Sequence, residues 1–107
     1  MVCNVNSREI AGNRIDDDHN GLVDDVRGWD FANGDNDPSP YLTGAGNDSH
    51  GTSVAGVAAA SGNNGLGVSG SCPRCKILPV KIANAPLGQG FQNTSEAQIA
   101  NAIRYAA

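Results

Sequence analysis

Polar and apolar residues divide the 107-residue chain into two parts of different character. After an irregular lead-in over residues 1–15, residues 16–49 are dense in Asp, Asn, Gly and Pro, the residue types that turns favour. Only the run VRGWDF at 26–31 interrupts this polar segment. The rest of the chain is mostly small and apolar. The contrast predicts a long acidic loop over residues 16–49 and a helix-strand-helix arrangement over residues 50–107.

The run HGTSVAGVAAAS at 50–61 has the spacing of a helix, since Val54, Val57 and Ala58 share one face. Alanine or glycine occupies most of the other positions, so we expect a buried helix that packs at short range. The run KILPVKI at 76–82 is almost continuously apolar. Such a run is typical of a strand in a parallel sheet that is covered on both faces.

A second helix is predicted at the end of the chain. Ser95 with Gln98 three residues later forms a capping-box signature for the segment SEAQIANAIRYAA. Ile99, Ile103 and Ala106 then fall on one stripe of this helix. The order helix, strand, helix predicts an α/β fold with a parallel sheet.

Charge and composition argue against two classes of partner. Eleven Asp and Glu residues against seven Lys and Arg give a net charge of −4. Nucleic acid is therefore not an expected partner, because phosphate binding needs a basic face. No run approaches the roughly 18 to 20 apolar residues of a membrane helix, and the start MVCNVNSREI lacks the features of a signal peptide. We expect no membrane partner.

The cysteines Cys3, Cys72 and Cys75 form an odd set, with the last two in the run CPRC. A zinc site would need a second pair of ligands at matched spacing, which the sequence lacks. A thioredoxin-like motif would follow a strand and begin a helix, whereas CPRC precedes the predicted strand. A local disulfide, free thiols and a metal or redox centre are the three interpretations, and we assign the cysteines no functional role.

His50 lies where the polar segment meets the predicted helix. The positive end of a helix dipole disfavours the imidazolium form, which favours a neutral base at about neutral pH. Gly51 directly after it leaves space for a substrate backbone. A single histidine at a helix start is more often a capping or structural group, so the role of His50 depends on the surrounding motif.

The run HGTSVAG at 50–56 resembles the histidine signature H-G-T-x-V-A-G of the subtilisin-like serine proteases. In one bacterial branch of that family, the histidine is preceded by a segment very similar to EIAGNRIDDDHNGLVDDVRGWDFANGDNDP. It is followed by a segment very similar to NNGLGVSGSCPRCKILPVKI. The resemblance therefore covers nearly the whole chain.

This resemblance implies that residues 1–107 are part of a subtilisin-like peptidase domain, an α/β fold with a partial doubly wound parallel sheet. It implies a serine endopeptidase that cleaves polypeptide substrates outside the cell or at its surface. His50 would be the general base of the triad, taking the proton of a serine nucleophile and giving it to the leaving amine. The loop PLGQG at 86–90 would lead towards the substrate cleft.

The chain departs from the family pattern in ways that bear on activity. No D-T-G or D-S-G context for a catalytic aspartate occurs, and Asp30 is a poor substitute because its segment follows the catalytic aspartate in the resembling sequences. The letters G-T-S occur beside His50, but Ser53 lies on the same helix start and cannot be the nucleophile that His50 serves. We expect an internal piece of a catalytic domain, inactive alone, with the rest of the domain missing from the chain.

The acidic run DDDHNGLVDD has the spacing of a calcium loop. Asp16, Asp18 and Asn20 alternate before a glycine, as in the first half of an EF-hand loop, where oxygens at alternate positions converge on the ion. The Leu22 carbonyl and the Asp24 side chain would supply the next ligands. We therefore predict a structural calcium ion, with calcium as the protein's cofactor.

This calcium loop would be looser than an EF-hand, because Arg27 stands where an EF-hand needs a bidentate Glu. Asp25, or the second acidic run with Asp35 and Asp37, would complete the site. The alternative is a cluster of solvated turns. Five carboxylates within ten residues repel one another without a counter-ion, which favours calcium.

Two other functions are alternatives to the protease. One is a non-catalytic calcium-binding module, and the other is a degenerate protease homologue retained as a binding protein. In every case Trp29 and Phe31 are expected to anchor the acidic loop to the body of the domain.

Overall fold

The computed structural model describes residues 2–40, 42–43, 46–47, 50–84 and 94–107. Within these ranges the chain forms short strands and two helices, an arrangement compatible with an α/β fold. The elements are β1 (Val2–Cys3), β2 (Trp29–Asp30), β3 (Leu42–Thr43), β4 (Gly46–Asn47), α1 (His50–Ala59), β5 (Lys76–Ile77), β6 (Val80–Lys81) and α2 (Glu96–Ala106).

The predicted strand at 76–82 is present as two short strands, β5 and β6. β5 pairs in parallel with β1, and β6 pairs in parallel with β2. Pro79 lies between β5 and β6; it has no N–H to donate, although its carbonyl accepts the Trp29 N–H at 3.3 Å. The prediction of parallel pairing is confirmed, and the prediction of one continuous strand is wrong.

Strands β1 and β2 lie one after the other along the same edge of the β5–β6 segment. The Asn4 N–H donates to the Ile77 carbonyl at 2.6 Å, and the Phe31 N–H donates to the Lys81 carbonyl at 2.7 Å. Carbonyls an even number of residues apart point to the same side of an extended chain. β1 and β2 are therefore two halves of one split strand.

Residues 6–26, here called the carboxylate loop, form the excursion between these two halves. The base of the loop is closed where the Asn6 N–H donates to the Val26 carbonyl at 2.8 Å. Gly28 follows at φ +113°, and a β-carbon there would overlap the Pro79 carbonyl oxygen. Only glycine therefore allows the chain to return so closely to the strand.

The segment that we predicted as one acidic loop, residues 16–49, is divided in the structure. The closed loop begins at residue 6 and ends before β2, and β3 and β4 form an antiparallel hairpin further along. Residues 41, 44–45 and 48–49 of the prediction lie outside the described ranges. The described residues form three two-stranded sheets. They do not make the predicted doubly wound sheet, which needs several parallel strands side by side.

Helix α1 begins at His50 as predicted, and it ends at Ala59. Its last turn is capped by chain that follows it, since the backbone N–H groups of residues 70–72 donate to carbonyls of the helix end at 2.7 to 2.9 Å. The carbonyls that accept these bonds belong to Val57, Ala58 and Ala60.

The predicted burial of α1 is wrong. Val54 is 55% exposed and Val57 is 72% exposed, and Ala59 is the buried residue of this helix. Within the described ranges, α1 packs mainly against β5. The small residues of α1 allow another element to pack closely against the helix, but they do not provide that element. Among the described residues, the face with Val54 and Val57 is exposed to solvent.

Helix α2 begins after Ser95 with the predicted capping box. The Gln98 N–H donates to Ser95 Oγ at 3.2 Å, and the Ser95 N–H donates to Gln98 Oε1 at 2.9 Å. Two backbone groups that a helix start leaves unpaired are thereby satisfied. The prediction from the sequence is confirmed in both halves of the motif.

The packed face of α2 differs from the predicted isoleucine stripe. Ile103 is 65% exposed, and Ala102 is buried instead. Tyr105 accounts for the shift, because its ring meets Phe31 edge-to-face with centroids 5.8 Å apart. The expectation that Phe31 anchors the loop segment is therefore confirmed. Trp29, two residues earlier in the sequence, is half-buried.

Candidate functional site

His50 is the first residue of α1, and its side chain is exposed. In the part of the chain that the structure describes, the imidazole has no hydrogen bond or ion pair to a carboxylate. Ser53 is exposed in the first turn of the same helix. His50 is thus open to groups from elsewhere, and the loop at 86–90 that we expected to lead towards a cleft lies outside the described residues.

Asp30 is committed to the local fold. Its side chain is 1% exposed and accepts hydrogen bonds from the backbone N–H groups of Ala32 at 2.7 Å and Asn33 at 2.9 Å. Lys81 Nζ lies 3.1 Å from Asp30 Oδ2, which compensates the buried charge. The carboxylate therefore orders the turn after β2.

Three carboxylates of the carboxylate loop converge. Oxygens of Glu9, Asp16 and Asp18 all lie within 4.8 Å of one another. The sequence predicted Asp16 and Asp18 as neighbours, whereas Glu9 was missed because it belongs to no motif. Folding brings it in, since Glu9 is buried and accepts the N–H groups of Asp18 at 3.0 Å and Asp24 at 3.1 Å.

The predicted ligand Asp24 points elsewhere. Its carboxylate accepts the backbone N–H groups of Gly12 at 2.9 Å and Arg14 at 3.0 Å. Asp24 itself has φ +57° and is buried. Its side chain is therefore used to fold the first half of the loop back on the second, and it is not part of the cluster of three carboxylates.

Asn20 and Leu22 form a small turn within the loop. The Leu22 N–H donates to Asn20 Oδ1 at 2.8 Å, and Asn20 Nδ2 donates to Asp25 Oδ2 at 3.1 Å. Among the described residues, the Leu22 carbonyl accepts no hydrogen bond. Asn20 is held by the protein at both ends of its side chain.

Asp25 lies at the centre of the polar network. It is completely buried and accepts hydrogen bonds from Asn6 Nδ2 at 3.2 Å and Asn20 Nδ2 at 3.1 Å. The Asn6 side chain also donates to Asp18 Oδ2 at 2.9 Å, which connects Asp25 to the cluster of three carboxylates. Asp25 is therefore linked to that cluster through the Asn6 side chain.

Tyr105 connects this network to helix α2. Burial raises the pKa of the Tyr105 phenol, and a hydrogen bond to Asp25 and the nearby negative charges raise it further. A cavity of about 650 Å³ adjoins the contact and is lined by loop residues and the end of α2, including Arg8 and Arg104.

The second acidic run stands apart from the cluster. The backbone of Asp35 forms an antiparallel β-bridge with the backbone of Asp30. The Asp37 side chain accepts the Ser39 N–H at 3.1 Å. Hydrogen bonds from the side chain and backbone of Ser39 lower the pKa of the exposed Asp37. These two acids cap local turns, and the three grouped carboxylates do not include them.

The cysteines are divided between one disulfide and one free thiol. Cys72 and Cys75 are bonded to each other, and Cys3 is free and exposed. The disulfide closes the turn that joins the cap of α1 to β5. Of the three interpretations of CPRC, the local disulfide is the one that the structure contains.

A family model described as the subtilase family, peptidase S8, matches residues 9–107. The chain belongs to the subtilase family. The match includes HGTSVAG and the carboxylate-loop residues from Glu9 onward, so it extends well beyond the histidine motif.

Several proteases are similar to this subtilase chain. It is 43% identical over 82 residues to thermitase of Thermoactinomyces vulgaris, covering 77% of this chain and 25% of thermitase. It is 41% identical over 78 residues to subtilisin-like protease 1 of Plasmodium vivax, covering 72% of this chain and 11% of that protein. The thermophilic serine proteinase of Bacillus sp. strain AK1 is 39% identical over 82 residues, covering 77% of this chain and 18% of that protein.

The chain thus spans a quarter or less of the length of these relatives. No solved structure matches it. Among the described residues, neither helix is long and apolar enough to cross a bilayer.

Proposed function

We propose that this chain is the histidine-bearing part of a serine-type endopeptidase, with His50 as the general base. The observation that carries the proposal is the exposed His50 at the first position of α1, within HGTSVAG and inside the family match. A general base needs an unprotonated nitrogen that a nucleophilic hydroxyl can reach, and an exposed side chain leaves the imidazole accessible.

In the proposed mechanism, His50 accepts a proton from a serine hydroxyl as the serine attacks a peptide carbonyl. It then gives this proton to the leaving amine. The serine, its aspartate partner and the further strands of a doubly wound sheet would come from parts of the protein outside these 107 residues. The isolated chain is therefore proposed to be inactive on peptides, since one triad member gives little catalysis by itself.

The test compares His50→Ala with His19→Ala in the complete protein. Replacing the base should lower kcat/KM by at least about 10⁴-fold with little change in the melting temperature. His19 is exposed in the carboxylate loop, so its replacement should leave kcat/KM within about twofold. Equal activity of the two variants would refute the role of His50.

We also propose that the carboxylate loop binds a structural calcium ion. The predicted ligands are Asp16, Asp18, Asn20, Leu22 and Asp24, and the convergence of Glu9 with Asp16 and Asp18 supports a cation at that point. Close carboxylates repel one another, so an ion among them should stabilise the folded loop. Asp24 is the weakest member of the predicted set, because two backbone N–H groups already occupy its carboxylate.

Calcium titration of the melting temperature tests this proposal. A ligand that binds only the folded state raises the melting temperature with its concentration. Asp16→Asn or Asp18→Asn should remove most of this shift. Asp17→Asn is the matched control, because its carboxylate accepts the Ile10 N–H at 3.1 Å and lies outside the cluster. A calcium response equal in all three variants would count against the site.

A non-catalytic calcium-binding module, or a degenerate protease homologue, is the second candidate function. It would apply if the complete protein lacked the aspartate and the serine of the triad. Activity in the complete protein separates the candidates, whereas calcium binding does not. Either candidate would act outside the cell or at its surface, where calcium is abundant.

A further inference from the structure

The tripeptide Asn-Gly-Leu occurs twice in the chain, at 20–22 and at 64–66. Both copies form the same local turn. The leucine N–H donates to the asparagine Oδ1 at 2.8 Å in the first copy and at 3.1 Å in the second. The two asparagines therefore share the two residues that follow them and the local hydrogen bond from the leucine N–H. They differ in the hydrogen bonds that the rest of the protein makes to them.

An Asn-Gly sequence can react with itself. The glycine nitrogen attacks the asparagine Cγ and loses its proton, the bond from Cγ to the side-chain nitrogen breaks, and ammonia leaves. Water then opens the resulting five-membered succinimide to aspartate or isoaspartate. The net change exchanges one ammonia for one water, without an oxidant or reductant. The reaction needs a free glycine N–H and a side-chain amide that can turn towards it.

The first copy lacks this freedom. The Gly21 N–H is held by Asp16 Oδ2 at 2.8 Å, and Asn20 Nδ2 is held by the buried Asp25 at 3.1 Å. Attack would break both hydrogen bonds. It would also develop negative charge on the glycine nitrogen beside carboxylates, which their charge opposes.

The third Asn-Gly pair, at 33–34, is held in a similar way. The Gly34 N–H donates to the Asp30 carbonyl at 2.8 Å, and Asn33 Nδ2 donates to Asp30 Oδ2 at 2.8 Å. Asn33 Oδ1 accepts a further bond from Asn84 at 3.1 Å. This side chain is also unable to turn while the turn after β2 is folded.

The second copy is free in both respects. Asn64 is exposed, and in the part of the chain that the structure describes neither Asn64 Nδ2 nor the Gly65 N–H has a hydrogen-bond partner. We propose that Asn64 is a site of spontaneous deamidation, which converts it to aspartate and isoaspartate while Asn20 and Asn33 are protected. The product adds a negative charge, and isoaspartate adds a backbone methylene, to the connection between α1 and β5.

The test is peptide mapping by mass spectrometry after incubation of the full chain in mildly alkaline buffer. In the folded chain, Asn64 should deamidate at least about tenfold faster than Asn20 or Asn33, since the latter two react only from opened states. In urea, Asn20 and Asn64 should react within about twofold of each other, because both are followed by Gly-Leu and the attacking nitrogen is that of the following glycine. Asn64→Gln should abolish the signal at this position and leave the other two rates unchanged.

Three outcomes would overturn the proposal. One is equal rates at Asn20 and Asn64 in the folded chain. Another is an Asn64 that reacts in urea and is inert when folded. The last is a tenfold difference that persists in urea, which would assign the preference to sequence and not to structure.

Discussion

The carboxylate loop and helix α1 achieve order in opposite ways. The loop has no regular secondary structure, yet Glu9, Asp24 and Asp25 are buried in it and accept hydrogen bonds from its own side chains and backbone. Helix α1 has regular structure and a cap, yet Val54 and Val57 on its surface are exposed.

The difference shows where each region obtains its stability. A polar loop can be ordered by a fully satisfied hydrogen-bond network, because each buried acceptor would cost free energy if its donor were lost. A helix obtains most of its stability from burying an apolar face. Most of the hydrogen bonds to the buried loop carboxylates come from residues 6–26. The valines of α1, by contrast, are exposed among the described residues.

Gly28→Ala should have the largest effect on the carboxylate loop. The β-carbon would overlap the Pro79 carbonyl oxygen at a residue with φ +113°, so we expect a loss of about 3 kcal/mol in the free energy of unfolding, measured by urea denaturation. Gly12→Ala is the control. Gly12 also has a positive φ, but a β-carbon added there would have no atom within 4 Å. It should cost about 1 kcal/mol. Equal losses would show that the close return to β6 is unimportant.

Asp25→Asn should have the next largest effect. An asparagine there would turn its NH₂ group towards an amide that now donates to Asp25 Oδ1 or Oδ2. We expect a loss of about 2 kcal/mol, because a buried donor is left unsatisfied. Asp35→Asn removes the same charge from an exposed residue and should change stability by less than about 0.5 kcal/mol. A tolerated Asp25→Asn would mean that the network does not order the loop.

The contact between the loop and α2 gives a smaller, pH-dependent effect. The pKa of Tyr105 is raised in the folded chain, so the unfolded chain loses the phenol proton first. The stabilisation is complete below the ordinary tyrosine pKa of about 10 and falls as the pH rises above it. Urea denaturation of wild type and Tyr105→Phe over this alkaline range should show a steeper decline for wild type. Parallel declines would contradict the buried contact with Asp25.

The smallest effect is expected on the helix side, from Val57→Ala. Val57 is 72% exposed, so shortening its side chain creates no cavity. The substitution should change the free energy of unfolding by less than about 0.5 kcal/mol. The same substitution is also to be measured in the complete protein. If the remainder of the domain covers α1, the loss there should rise to about 1 kcal/mol or more. The same small value in both would mean that the face is exposed in the whole protein.

Local patterns predicted the helices well and the sheet poorly. The start of α1 and the capping box of α2 depend on residues within one helical turn of each other. Near neighbours in the sequence are therefore enough to predict them. The strand at 76–82 was predicted as continuous because its apolar run does not show that its two ends pair with different strands, β1 and β2. The stripe on α2 was wrong because Phe31, 74 residues before Tyr105 in the sequence, decides which face packs.

The candidate cation site divides in the same way. The alternation of Asp16 and Asp18 is local, and those two carboxylates do converge. Glu9 could not be predicted, because its approach depends on two backbone N–H groups that only the closed loop directs at it. Asp24 was assigned to the ion from its spacing, and the same closure gives it other partners.

The sequence by itself determined the family, the start of each helix and the candidate base His50, because these follow from short motifs and from spacing along the chain. Only the tertiary structure decided that β1 and β2 form one split strand, that Glu9 joins Asp16 and Asp18, and that Asn64 is free where Asn20 is held. The physical reason is range. Helix caps and turns act between near neighbours, whereas burial and hydrogen bonds between distant residues exist only once the chain has closed on itself.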